Sequence, residues 1–375
     1  MSERRQVGCY YFPNYHVDPR NEKVHGSGWS EWQLVEHAHP HFEGHVQPKI
    51  PLWGFDDESD PAAMAQRIDA AANHGVDFFI FDWYWYDDGP FLERGLEKGF
   101  LKAKNNSRMK FCLMWANHDW QNIHPAKYKQ QGKTLYPGVI KPETFTTIMD
   151  HAIETYFKHP SHFMVNGCPY FSIYELGTFV KSFGTVQKAR EALDEFRGRT
   201  KFAGFPDIHL NGVVWGSPIL PGESKPTNLG QLVADLGFDS TTSYVWVHHW
   251  SPGKFHTVPY ETVRDQYFKF WDKALTTFKV PYYPNVTMGW DSSPRTVQSE
   301  IWEAGAGYPF TPIIDGNTPA AFREALVMTR QRLEKSNGPR IVTINAWNEW
   351  TEGSYLEPDT VNGLGYLEAI KAAFG

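Results

Sequence analysis

The sequence predicts a single closed (β/α)8 barrel of the TIM type, residues 1–375, with a long loop after the first strand. Three observations point there. Short apolar runs rich in aromatic and β-branched residues alternate with amphipathic stretches along nearly the whole chain, which implies parallel pairing with helical crossovers. Eight such strand-plus-helix units can be read, the number that closes a barrel. No Gly-x-Gly-x-x-Gly follows the first strand, so the commonest reason to prefer an open dinucleotide-binding sheet is missing. The 375 residues exceed the ~250 typical of such barrels and leave room for insertions.

The first strand is expected at 7–12, ended by Pro13 and Asn14. The loop after it runs from 15 to about 60 and is rich in His, Gly, Trp and Pro. Pro61 opens a helix reaching His74, since proline is tolerated in a first turn, and Gly75 ends it. An apolar run at 76–81 is the second strand, leading into a loop that reads Asp82-Trp83-Tyr84-Trp85-Tyr86. A helix at 91–104, a strand at 110–115 and a loop from Ala116 to Trp120 form the next unit. Helix 142–157 then precedes strand 169–174, helix 187–196 precedes strand 208–215, and helix 229–236 precedes strand 241–246. Helix 260–278 leads to strand 282–287, whose loop carries Gly289 to Arg295. Helix 319–334 feeds the last strand, 341–346, and a helix at 363–373 closes the chain.

The balance of 36 basic against 43 acidic residues gives a net charge of -7 without a Lys/Arg cluster. Nucleic acid, which needs a basic footprint, is not an expected partner. No stretch approaches the ~18 apolar residues of a membrane span. Met1 to Arg5 lead into the first strand without an apolar leader. The chain as given is therefore expected to be cytoplasmic, or periplasmic or secreted if a signal peptide has been removed. Cys9, Cys112 and Cys168 are odd in number and far apart, and free, buried thiols are expected. Oligomeric state is not legible. Aromatic residues make up 16% of the chain, with 15 Trp and 18 Tyr. Many of these rings fall beside Asp, Asn or His at expected strand ends, as a cleft that stacks on sugar rings and hydrogen-bonds their hydroxyls requires.

Loops after barrel strands converge on one face, so their residues are read together. They are Tyr11 to Tyr15 after the first strand; Asp82, Trp83 and Tyr84 after the second; Trp115, Asn117 and Asp119 after the third; and Tyr174 and Glu175 after the fourth. Trp215 follows the fifth strand, and Tyr244, Trp246 and His248 follow the sixth. The seventh contributes Asn285, Trp290, Asp291 and Arg295, and the eighth Asn348, Glu349, Trp350 and Glu352. Three chemistries compete. Glu349 and Glu352, three apart, would hold their Cβ atoms ~5–6 Å apart in a helical turn, and mutual repulsion would raise one of them into the acid role. A solvated loop is the bland alternative, opposed by Trp347 and Trp350 beside these charges. The second pairing is Glu175 with Asp291. The third is a metal site from His16, His118, His248 and His249, but His248 and His249 are adjacent and would face opposite ways in a strand. No metal and no cofactor are expected. Asp291 and Arg295 are expected within ion-pair reach of each other, with Trp290 facing the cleft; alternatively Asp291 caps the turn Ser292-Ser293-Pro294.

The segment Asn348-Glu349-Trp350-Thr351-Glu352-Gly353, followed by Leu356-Glu357-Pro358, resembles the signature of glycoside hydrolase family 99 and its WbsX-type relatives, which carry the label glycosyltransferase. Trp29-Ser30-Glu31-Trp32, the run from Gln47 to Leu52 and the run from Gly289 to Arg295 are similar to the WbsX branch. Tyr10-Tyr11-Phe12-Pro13 and Asp82-Trp83-Tyr84-Trp85 also fit. The resemblance covers about 7–375. It implies a retaining α-glycosidase barrel with Glu352 as general acid/base and Glu349 as the base for the sugar's own 2-hydroxyl. A 1,2-anhydro sugar would be the intermediate, and the reacting sugar would be α-mannose or another with an axial 2-hydroxyl. Two other functions stand beside this one: glycosyl transfer in surface-polysaccharide (O-antigen type) assembly, and a non-catalytic carbohydrate-binding barrel.

Overall fold

The computed structural model describes residues 5–225, 227–250, 255–336 and 339–375, so residues 1–4 of the expected leaderless start lie outside it. The central sheet is parallel. Its strands are β1 (Gln6–Tyr11), β2 (Phe78–Tyr86), β3 (Lys110–Trp115), β4 (Cys168–Ile173), β5 (His209–Val213) and β6 (Ser240–Thr242), then β7 in two pieces (Tyr282–Tyr283 and Asn285–Thr287) and β8 (Ile341–Asn345). Their order runs from the first piece of β7 through β6, β5, β4, β3, β2, β1 and β8 to the second piece of β7. Pro284 separates the two pieces. It has no N–H to donate, so the ladder breaks there. Before it, Tyr282 and Tyr283 pair with Thr241 and Thr242; after it, Asn285 to Thr287 pair with Thr343 to Asn345. The sheet closes on itself through that one interrupted strand, giving the expected barrel.

The outer helices begin where proline and capping residues start them. Pro61 and Pro319 occupy first turns behind Asp60 and Thr318, whose side chains accept from Ala62 N at 2.8 Å and Ala321 N at 3.3 Å. The helices Pro61–Asn73, Leu229–Leu236, Tyr260–Thr277 and Pro319–Lys335 match the reading of the sequence to within a residue.

Several elements differ, among them the helix expected at 187–196, which runs from Val186 to Phe202. β2 does not stop at Phe81 but runs to Tyr86 with all nine residues buried, then turns back as a hairpin with Gly89–Phe91. The helix expected at 91–104 is only a π-turn at Gly95–Gly99 and a 3-10 turn at Phe100–Lys102. Close packing explains this: a Cβ on Gly99 would lie 2.3 Å from the carbonyl oxygen of Glu58. A helix at Leu176–Phe183 follows β4 directly, and it was hidden by its Gly, Thr and Val content. β6 ends at Thr242, and Trp246–His249 form a 3-10 turn instead of its continuation. Cys9 and Cys112 are free and buried as expected, while Cys168 is half-buried. Among the described residues no helix is long and apolar enough to cross a membrane.

Candidate active site

The eighth strand delivers the two glutamates through a tight hairpin. Asn348–Glu349 pair antiparallel with Ser354–Tyr355, and a 3-10 turn at Trp350–Glu352 joins them. Residues three apart eclipse in such a turn, so Glu349 and Glu352 point the same way, each only 3% exposed. Gly353 completes the turn at φ +62, and a Cβ there would lie 2.6 Å from that of Asp291. Behind the hairpin, Glu357 accepts from Trp350 Nε1 at 2.6 Å, Trp347 Nε1 at 3.1 Å and Arg67 Nε at 2.5 Å. The side-chain amide of Asn348 accepts from Phe12 N and donates to Phe12 O, both at 2.8 Å.

Arg295 joins the pair. Its Nη1 donates to Glu352 Oε1 at 2.5 Å, its Nη2 to Glu349 Oε2 at 3.1 Å and its Nε to Glu31 Oε1 at 2.9 Å. Tyr308 OH donates to Glu352 Oε1 at 2.7 Å. Tyr244 OH lies 2.9 Å from Glu349 Oε1 and 2.8 Å from Asp82 Oδ2. Four carboxyls thus face one guanidinium in a buried site. Burial, then repulsion from Glu352, pushes Glu349 well above the usual carboxylate range against the pull of Arg295. Burial also raises Glu352, opposed by Arg295 and the Tyr308 hydroxyl. For Glu31, burial is outweighed by Arg295, His124 and Thr351, and its carboxyl is held below the ordinary value. Burial thus raises both members of the pair, the direction that an acid role requires.

These groups form the floor of a cleft enclosing about 570 Å³, part of it open to solvent. Phe12, Tyr84, Trp120, Tyr174, Tyr244 and Tyr308 supply its rings. Of the expected residues, Phe12, Asp82, Tyr84, Asp119, Tyr174, Tyr244, Arg295, Glu349 and Glu352 meet there. The pairing expected between Asp291 and Arg295 is corrected. Asp291 accepts from Gln47 Nε2 at 2.7 Å and Ser293 N at 3.1 Å and contacts His45 Nε2 at 2.9 Å, so it caps its own turn and ties down the loop after β1. Trp290 is corrected too. Buried, it donates to Thr311 Oγ1 at 2.8 Å and, with Asp291, borders a separate recess behind the Glu352 turn.

The remaining expected residues stand outside the cleft because side chains alternate along a strand. In β2, Asp82 and Tyr84 face the cleft, so Trp83 between them points outward against Tyr156 and Phe171. Met114 and Ala116 face the cleft, and Trp115 between them packs on Phe145 and Phe179. Phe12 faces in, and Tyr11 packs on Phe79 and Phe81. Trp246 is buried against Tyr260 and Tyr267, with its indole N–H on Asn285 O. Asn285 itself donates to Thr343 Oγ1 inside the barrel. Trp350 stacks on Tyr355 at 3.8 Å, behind the glutamates.

The alternative pairing does not assemble. Glu175 caps the helix after β4 by accepting from Thr178 N, and Asn117 holds its backbone N–H and C=O, each at 2.8 Å. The histidines disperse as well. His16 contacts Glu58, His248 lies 3.4 Å from Glu223, and His249 turns the opposite way to Ser243 Oγ at 2.8 Å. His118 lines the cleft with Asp119, whose Oδ1 accepts from Gly138 N. Trp215 stacks on His248. Residues that reading the loops strand by strand did not assign are Glu31, Tyr308, Trp120, Gln121 and His124. For Glu31 the only signal was its place in Trp29-Ser30-Glu31-Trp32.

The closed parallel sheet and its outer helices define a TIM barrel. The chain belongs to the family described as Glycosyltransferase WbsX, which it matches over residues 7–370. It is 27% identical over 384 residues to the uncharacterized protein WxcX of Xanthomonas campestris pv. campestris, strain B100, covering 97% of this chain and 49% of that one. The chain thus spans about half the length of the curated relatives it matches. Among solved structures it is similar to the GH99 endo-alpha-mannosidase from Bacteroides thetaiotaomicron, at 15% identity and a TM-score of 0.58, covering 98% of this chain and 96% of that one. A glycoside hydrolase-like protein gives 14% and 0.60, with coverage of 100% and 94%. A beta-glucosidase from Thermotoga maritima gives 10% and 0.52, with coverage of 98% and 97%. At these identities the likeness is one of fold.

Proposed function

We propose that this chain is a retaining glycoside hydrolase acting on an α-linked poly- or oligosaccharide whose reacting sugar carries an axial 2-hydroxyl, such as an α-mannoside. A single barrel over residues 1–375 would carry the whole reaction. The observation that carries the reading is the buried pair Glu349 and Glu352, bridged by one guanidinium on the floor of an aromatic cleft. Both protein contacts of the Glu352 carboxyl go to Oε1. Oε2 is left to give its proton to the glycosidic oxygen as the C1–O bond breaks. Glu349 takes the proton of the sugar's 2-hydroxyl, and O2 closes onto C1 to form a 1,2-anhydro sugar. Water then opens that ring at C1, returning a proton to Glu352, while Glu349 gives its proton back to O2. Neither protein nucleophile nor metal enters this sequence.

Incubation with α-manno- and α-rhamno-oligosaccharides, read by product chromatography and by the anomeric configuration of the first product, tests it. Release of a product of retained configuration supports the reading, and an inverted product overturns it.

A second reading follows from the family's own description, which names glycosyl transfer. It requires a nucleoside diphosphate in the cleft. Titration calorimetry with nucleotide sugars separates the two, since saturable binding favours transfer and its absence favours hydrolysis.

A further inference from the structure

We propose that Asp82 is a positioning residue that stays protonated in the working protein and, through Tyr244, holds Glu349 as the charged base. This rests on the role given to Glu349 above.

The argument begins with hydrogen counting. A phenol has one hydrogen. The hydroxyl of Tyr244 lies within hydrogen-bond distance of two carboxyl oxygens, Asp82 Oδ2 at 2.8 Å and Glu349 Oε1 at 2.9 Å. It can donate to only one of them. The other contact holds only if a protonated carboxyl donates to the phenol oxygen, so a proton resides on Asp82 or on Glu349.

A second observation chooses between them. Asp82 Oδ1 is buried and has no hydrogen-bond partner among the described residues. A carboxylate with one bare buried oxygen bears the full desolvation penalty, whereas the carbonyl oxygen of a neutral acid bears much less. Glu349, by contrast, accepts from Arg295 at its other oxygen. The proton therefore sits on Asp82 Oδ2 and is donated to the Tyr244 oxygen, and the Tyr244 hydrogen goes to Glu349 Oε1.

The surroundings raise both carboxyls, and the bare Asp82 oxygen chooses between them. Facing Asp82 are Cys9 and Tyr10 from β1, Tyr84 on its own strand, Tyr174 after β4, Arg295 after β7, and Glu349 and Glu352 after β8. Arg295 is the only cation among these, and it is committed to Glu31, Glu349 and Glu352. Burial first, and repulsion from Glu352, push the Asp82 carboxyl well above the carboxylate range, against the Tyr244 hydrogen bond and Arg295. A neutral Asp82 spares Glu349 a neighbouring like charge and supplies the hydrogen that orients the phenol.

Difference infrared spectroscopy of the substrate-free protein reads this proton directly. At neutral pH the protein should show a protonated-carboxyl C=O band that Asp82→Asn abolishes and Tyr244→Phe shifts. A band unchanged in both variants overturns the proposal. If the Asn variant does not fold, the Tyr244→Phe shift decides alone. In kinetics, Asp82→Asn keeps an N–H for the phenol oxygen and should lower kcat/KM by up to about tenfold, whereas Asp82→Ala and Tyr244→Phe should lower it ~10²–10⁴-fold. Loss in the Asn variant equal to that in the Ala variant would show that the charged carboxylate is needed and would also overturn it. The infrared result requires no turnover, so failure of the hydrolase reading and failure of this proposal are separately visible.

Discussion

Glu31 and Arg295 lie 264 residues apart in sequence yet form a buried ion pair, with Arg295 Nε donating to Glu31 Oε1 at 2.9 Å. The long loop after β1 brings Glu31 over the barrel mouth, and the loop after β7 brings Arg295 up to meet it. Thr351 and Asn14 also donate to Glu31, so this carboxylate is satisfied on every side. The guanidinium is thereby fixed before substrate arrives, and its remaining two nitrogens are aimed at Glu349 and Glu352.

Arg295→Ala removes the cation from three buried carboxylates. Removing one partner of a buried pair is destabilising by about 3–5 kcal/mol. The variant should unfold at clearly lower denaturant concentration as well as lose activity. Burial of the side chain makes the effect on stability large. Equilibrium denaturation at matched pH checks it, and a midpoint equal to that of the parent would contradict it.

Glu349→Gln should lower kcat/KM by ~10²–10⁴-fold while raising thermal stability. The folded carboxyl is raised above its unfolded value, chiefly by burial. Between those two values the folded state holds more protons than the unfolded one, so stability falls as pH rises through the window. The parent should therefore lose stability from the ordinary carboxylate range upward, and the Gln variant should lose less. Melting curves from acid to neutral pH for both proteins give the comparison.

Gly353→Ala tests the turn between the glutamates. A left-handed φ of +62 with a Cβ 2.8 Å from Asp291 N cannot be accommodated without displacing the loop. Strain of roughly 1–2 kcal/mol for the backbone alone is expected. Because Asp291 N donates to Glu352 O, the displacement reaches Glu352, the proposed acid. Activity should fall further than the loss in melting temperature accounts for.

Tyr308→Phe deletes a hydrogen bond that favours the charged form of Glu352. Its carboxyl should be raised further, and the alkaline limb of the pH–rate profile should move to higher pH. A profile shifted the other way would show that Glu352 is not the titrating acid.

The barrel was legible because strand and helix periods alternate cleanly from Gln6 to Asn345, and Pro61, Pro142 and Pro319 mark helix starts. The two glutamates were legible because Asn348 to Gly353 is a continuous motif. The ring wall was not. Trp83 and Trp115 are neighbours in sequence of cleft residues, but treating 82–86 as loop hid the alternation that sends them outward. Tyr308 and Trp120 reach the cleft, and Glu31 reaches Arg295, from insertions whose paths no local pattern specifies. Asp291 and Arg295 share one short turn, yet the turn splits them between two different partners.

Asn348 has one more consequence. Its side-chain amide meets the peptide groups of Phe12 as a neighbouring strand would, accepting from the N–H and donating to the C=O. It is an extra rung, added after the β1–β8 ladder has formally ended at Cys9 and Ile344. Glu349, one residue on, thus inherits its height above the barrel from the register of the two strands. The loops around the cleft can lengthen or change sequence without moving it. Replacement of Asn348 by Asp, nearly identical in shape, would leave one rung without its donor and loosen the carboxyl from the scaffold that measures out its position.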